Sequence, residues 1–191
     1  MIKNRKLLVI SIALFGTLLS FNAMGQTTNT SVNTLNLGLQ EVSMIHGSTN
    51  PVNLTLTPQS AGLAVKPSVS DSTARVLVSS VVTGANTRTM SVVFTGELPG
   101  GTYLTLQARD PNGNFVGTAG TMGSLATYST SGGAAQDIIS GIGTCYSGTG
   151  SDDGFKLLYT FGISATTENY GDIRAVGGQS VTATFTLTAA I

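Results

Sequence analysis

Tryptophan is absent from the 191 residues, and cysteine and histidine occur once each, as Cys145 and His46. A single cysteine excludes an internal disulfide framework. One Cys and one His fall short of the four ligands of a structural zinc site. Any Ser-His-Asp or Cys-His catalytic arrangement has to use His46, and no G-x-S-x-G motif accompanies it. Charged residues make up 9% of the chain, where roughly a quarter is usual. So few Lys and Arg exclude a basic nucleic-acid-binding surface, because those side chains neutralise phosphate. The shortage of Glu and Lys, with no apolar heptads, excludes a coiled coil. Beyond the N-terminal region no apolar run reaches 18 residues, so no membrane-spanning helix is expected there.

What is present begins with an export signal. Lys3, Arg5 and Lys6 precede an apolar stretch over residues 7–19, followed by Phe21-Asn22-Ala23-Met24-Gly25. A basic start, a short apolar core and small residues at −3 and −1 form the pattern of a secretory signal peptide. The apolar core is short for a span of about 20 residues, so cleavage after Gly25 is expected, with residues 1–25 removed. The chain left after cleavage holds six basic and nine acidic residues, a net charge of −3. Its solubility then rests on Thr, Ser, Asn and Gly. The expected location is the periplasm, the cell surface or the extracellular space.

Residues 26–33 read as a polar extension, and residues 34–191 as one domain. Leu35, Leu37 and Leu39 alternate with Thr34, Asn36 and Gly38; Val52, Leu54 and Leu56 do the same. Period-2 alternation is the mark of a half-buried strand. Further strands are expected at 75–82, 89–95, 102–108, 155–164 and 180–188, with shorter ones near 115 and 136–139. Turn chemistry divides them: Thr83-Gly84-Ala85-Asn86, Leu98-Pro99-Gly100-Gly101 and Asp110-Pro111-Asn112-Gly113, where Pro presets φ and Gly supplies positive φ. Residues 58–72 and the Gly-rich stretch 140–150 read as loops, and 117–135 as holding one weak strand at best. Residues 168–175 read as a helical turn or a crossing loop. Nine or ten short strands with no amphipathic helix argue for an all-β antiparallel β-sandwich.

Candidate chemistry is sparse. His46 reads as a loop residue. Cys145 reads as a small apolar residue within the Gly-rich loop, or as a free thiol that pairs between chains. That loop lacks the Lys-Ser/Thr and the following helix of a phosphate cradle. Asp152-Asp153 and Asp110-Pro111-Asn112-Gly113 offer oxygen ligands but do not match a calcium loop. Tyr103, Tyr128, Tyr146, Tyr159 and Tyr170 read as packing or surface residues before they read as sugar platforms. No catalytic, cofactor or metal residue is assigned, and a non-enzymatic protein is expected. The alternative is an exported carbohydrate- or protein-binding module, or a hydrolase built where His46, Cys145 or Asp152 and Asp153 converge.

The closing run Val181-Thr182-Ala183-Thr184-Phe185-Thr186-Leu187-Thr188, behind a signal peptide and a Thr- and Gly-rich domain, resembles secreted bacterial fimbrial and spore-coat-U-like subunits. With Ile139-Ser140-Gly141-Ile142-Gly143-Thr144-Cys145-Tyr146, it also resembles short secreted proteins of Gram-negative bacteria. The chain lacks the Cys pair that many fimbrial subunits carry. The resemblance implies an immunoglobulin-like sandwich with a structural or adhesive surface role, and it transfers no catalytic residue. Partners are then further copies of the chain, other surface proteins or a glycan. Strand addition is the expected mode, since a free sheet edge offers unpaired N–H and C=O groups to an extended segment. The expected donor is the row Leu35, Leu37 and Leu39.

Overall fold

Alternating side chains become alternating burial. In the computed structural model, β3 (Arg75–Val81) turns Val76 and Val78 inward and Arg75, Leu77 and Ser79 outward. β4 (Arg88–Gly96) buries Met90, Val92 and Phe94. β5 (Thr102–Asn112) buries Leu104, Leu106 and Ala108, and β11 (Gly154–Ile163) buries Phe155 and Leu157. Each of these buried side chains apart from Ala108 contributes about 1.5–3 kcal/mol on leaving water. The structure describes residues 31–48, 50–65, 67–128, 133–163, 170–171, 173–189 and 191. The proposed signal peptide and residues 26–30 of the polar extension lie outside them, as do residues 168, 169 and 172 of the stretch 168–175.

The chain divides into two units, Met1–Gly38 and Leu39–Ile191. Of the first, the described residues 31–38 are exposed and carry no strand. The second is an antiparallel β-sandwich. Its remaining strands are β1 (Val42–Gly47), β2 (Ser68–Asp71), β6 (Val116–Gly117), β7 (Thr121–Met122), β8 (Ala126–Tyr128), β9 (Gln136–Ile142), β10 (Cys145–Tyr146) and β12 (Val181–Leu187). The larger sheet runs β6-β10-β3-β11-β5-β8, with β1 on the other edge of β3 and β2 beside β11. The smaller runs β12-β4-β9-β7. Every ladder is antiparallel. The core lies between the sheets, where Phe94 and Tyr128 pack with ring centroids 5.6 Å apart.

Four expectations change. Residues 34–39 form no strand; the first ladder among the described residues begins at Val42. Residues 52–56 form none either, although Val52 and Leu54 pack against the core. Alternation reports which side chains meet the core, not whether the backbone has found a partner. Ser68–Asp71, expected as loop, becomes β2 because β11 supplies its ladder, from Tyr159↔Asp71 to Gly162↔Ser68. The segment 117–150 holds β7, β8, β9 and β10, all short or Gly-interrupted. Tertiary pairing overrides weak local propensity there.

Candidate assembly surface

Among the described residues the chain is first tied down at Glu41. Its carboxylate accepts from the Thr83 backbone N–H at 3.1 Å and from Arg88 Nη2 at 3.2 Å. Hydrogen bonds from Thr83, with the nearby Arg88 charge, hold this carboxyl below its ordinary value. Residues 31–41 carry no strand assignment, and Leu35, Leu37 and Leu39 are 78%, 92% and 85% exposed. Three large apolar side chains at period 2 are thus left in water on a backbone with no ladder.

The smaller sheet ends on β12. Its register with β4 runs from Val181↔Gly96 to Leu187↔Met90. Its other edge has no ladder partner among the described residues. The inward row Val181, Ala183, Phe185 and Leu187 is only half-buried, whereas Met90, Val92 and Phe94 on β4 are fully covered. The outward Thr182, Thr184 and Thr186 are exposed. β1 is likewise an edge strand, paired only with β3 among the described residues, and it lies near β12. The core therefore thins on this side, beside two edges with unused hydrogen-bonding groups.

The single imidazole and the single thiol are not brought together. His46 pairs with Leu77 and Cys145 with Ser80, on the two edges of β3. Directly opposed residues share a face, and Leu77 and Ser80 are an odd number of residues apart, so they face opposite ways. His46 is exposed on the outer face. Cys145 is 6% exposed in the core, and burial pushes its thiol up. That placement fits the reading of Cys145 as a small apolar residue: the thiol faces the sheet interface.

The adjacent carboxylates also separate. Asp152 is exposed, with Oδ1 3.9 Å from Arg75 Nη2. Asp153 is buried and holds the Gly-rich loop closed. It accepts from the Gly150 N–H at 2.7 Å, the Asn114 N–H at 3.0 Å and the Asn114 amide. These hydrogen bonds, from Gly150 first, hold its carboxyl below the ordinary value. Its oxygens are taken by the protein's own donors. Among the described residues no group of three His, Cys, Asp or Glu is placed to hold a metal ion. Of the tyrosines, Tyr128 is buried and donates to the Gly96 carbonyl, while burial pushes Tyr159 up to about 12. Tyr146 and Tyr170 are exposed, and Tyr103 is half-buried.

Sequence reading missed Arg88. It is buried and reaches Ser80, Val81, Thr188 and Glu41. The signal was available: Arg88 stands two residues before Met90, in phase with the inward row of β4. No protein-family model, curated protein or solved structure matches the chain.

Proposed function

We propose that this chain is an exported, non-enzymatic surface subunit that joins further copies of itself by strand addition. The supporting observation is the row Leu35, Leu37 and Leu39, exposed and without a ladder ahead of the anchor at Glu41. An extended segment with one apolar row is the complement of a free edge over a thin core, and β12 has both features. In this reading the leucines of one molecule cover the half-buried row of β12 in the next, and the backbones complete each other's hydrogen bonds.

The test is a concentration series of the exported protein, followed by sedimentation and negative-stain microscopy. The wild-type chain forms oligomers or filaments. A chain lacking residues 26–39 folds, keeps its thermal transition and stays monomeric, as does Leu35→Asn/Leu37→Asn/Leu39→Asn. Wild-type protein that stays monomeric at every concentration overturns the proposal. So does a deletion that unfolds the domain, because the segment would then be one of the domain's own strands.

A further inference from the structure

The outer face of the larger sheet gathers cations that the sequence scatters. Lys156 on β11 has Arg75 as its partner on β3 and Arg109 as its partner on β5. Their chain neighbours Val76, Ala108, Phe155 and Leu157 are all in the core, so the three cations share the opposite, outward face. They form one row spanning two strand spacings, about 10 Å. Half of the six Lys and Arg residues beyond residue 30 thus stand side by side.

A bulge adjoins this row. Phe155 pairs with Pro111, but Lys156 pairs with Arg109, leaving Asp110 as the extra residue. From Lys156↔Arg109 to Ile163↔Thr102 the ladder is unbroken, so Lys156 and Arg109 are directly opposed, and like charges so placed are destabilising. Two acids border the row, which keeps a net positive charge. Asp110 is the chain neighbour of Arg109, and the exposed Asp152 reaches only Arg75, at 3.9 Å. Lys156 and Arg109 make no ion pair among the described residues. Arg75 is held in place by its Nη1, which donates to the carbonyls of Ser72 and Ala74, while its Nε is buried without a partner.

The same face continues as a polar surface. One row along, Gln107 stands opposite Leu158. Beyond it Thr127, Thr105, Thr160 and Ser70 are successive cross-strand partners, with the Ser70 and Thr160 hydroxyls 2.8 Å apart. Tyr103 then lies against Gly162, where even a methyl group would meet its ring.

We propose that this face binds an anionic polysaccharide, with carboxylate or sulfate groups at Lys156 and Arg109 and sugar hydroxyls toward Gln107 and Thr160. Charge complementarity carries the proposal: a thinly charged chain concentrates positive charge at one row, in a register that costs stability. A sheet face suits an extended polymer with repeated anions. The exposed Arg109 guanidinium beside the Lys156 ammonium provides a directed and an undirected contact to oxyanions. The proposal is independent of strand addition, because the outer face is not an edge.

Affinity electrophoresis of the exported protein through gels containing polygalacturonate, dextran sulfate or neutral dextran tests it. Retardation is expected with one or both polyanions and not with dextran. Comparing the two polyanions identifies carboxylate or sulfate as the group recognised. Lys156→Gln and Arg109→Gln each weaken retention about tenfold, with the melting temperature unchanged or raised by relief of repulsion. Arg174→Gln, an exposed cation elsewhere, leaves retention unchanged. No retardation by either polyanion overturns the proposal, as does equal weakening by Arg174→Gln. Preferential binding to vesicles containing phosphatidylglycerol also overturns it, in favour of a lipid surface.

Discussion

Arg88, only 3% exposed, donates from Nη2 to Oε2 of Glu41 at 3.2 Å, joining the start of the smaller sheet to the residue just ahead of β1. The same guanidinium donates to the Ser80 hydroxyl and to the carbonyls of Val81 and Thr188. One buried charge therefore ties together β3, β4, the lead into β1 and the residue after β12. Such a charge is tolerated inside a protein only when its donors are satisfied.

Arg88→Ala is expected to lower stability by on the order of 2–4 kcal/mol, from the cavity and the buried carbonyls left without donors. Glu41→Gln is expected to cost much less, because Glu41 is partly solvated. Urea unfolding with an unchanged m-value measures both. Equal losses would mean that the ion pair, and not the carbonyl contacts, dominates.

Acid should weaken the fold in a defined window. Glu41, Asp71 and Asp153 are all held below their ordinary values of 4.5, 3.8 and 3.8 by hydrogen bonds from Thr83, Thr73 and Gly150 respectively. A depressed folded-state value means that the unfolded chain binds more protons as pH falls, so stability rises with pH through this range. The melting temperature is expected to be flat from pH 7 to about 5 and to fall as these carboxylates protonate. Asp153→Asn should lower it at pH 7 and make the acid decline shallower. An unchanged slope would remove Asp153 from the account.

The loop around that carboxylate gives an independent check. Gly148 has φ +81°, and an added methyl would fall on Asp153 Oδ2. Gly148→Ala is expected to cost about 1–3 kcal/mol from the backbone conformation alone, measurable by the same urea unfolding. No loss would mean that the loop is free to re-form around a different partner.

Cys145 should be unreactive in the folded protein. The thiolate is the nucleophile, and burial both covers this sulfur and raises its pKa. Labelling with a chromogenic disulfide at pH 8 is expected to be slow until denaturant is added, then fast and stoichiometric. Rapid labelling of native protein would show that β10 opens readily.

Much of the fold was legible because one face of a strand must meet the core. The rows Met90, Val92, Phe94 and Leu104, Leu106, Ala108 were readable as inward and are buried. The same rule misplaced 34–39 and 52–56 as strands, because alternation carries no information about a hydrogen-bonding partner. β2 and β10 went unseen for the converse reason: Ser68–Asp71 and Cys145–Tyr146 become strands only because β11, β3 and β6 lie beside them. The leucine row was legible as an apolar stripe; its exposure was not.

The sequence by itself determined the all-β class and the inward face of most strands, since backbone geometry turns successive side chains to opposite sides. It could not determine neighbours. That His46 and Cys145 fall on opposite faces, and that Arg75, Lys156 and Arg109 fall on the same one, was decided by strand order and register. Register is a long-range property: it depends on which backbone groups meet across the sheet, and no local pattern encodes that meeting.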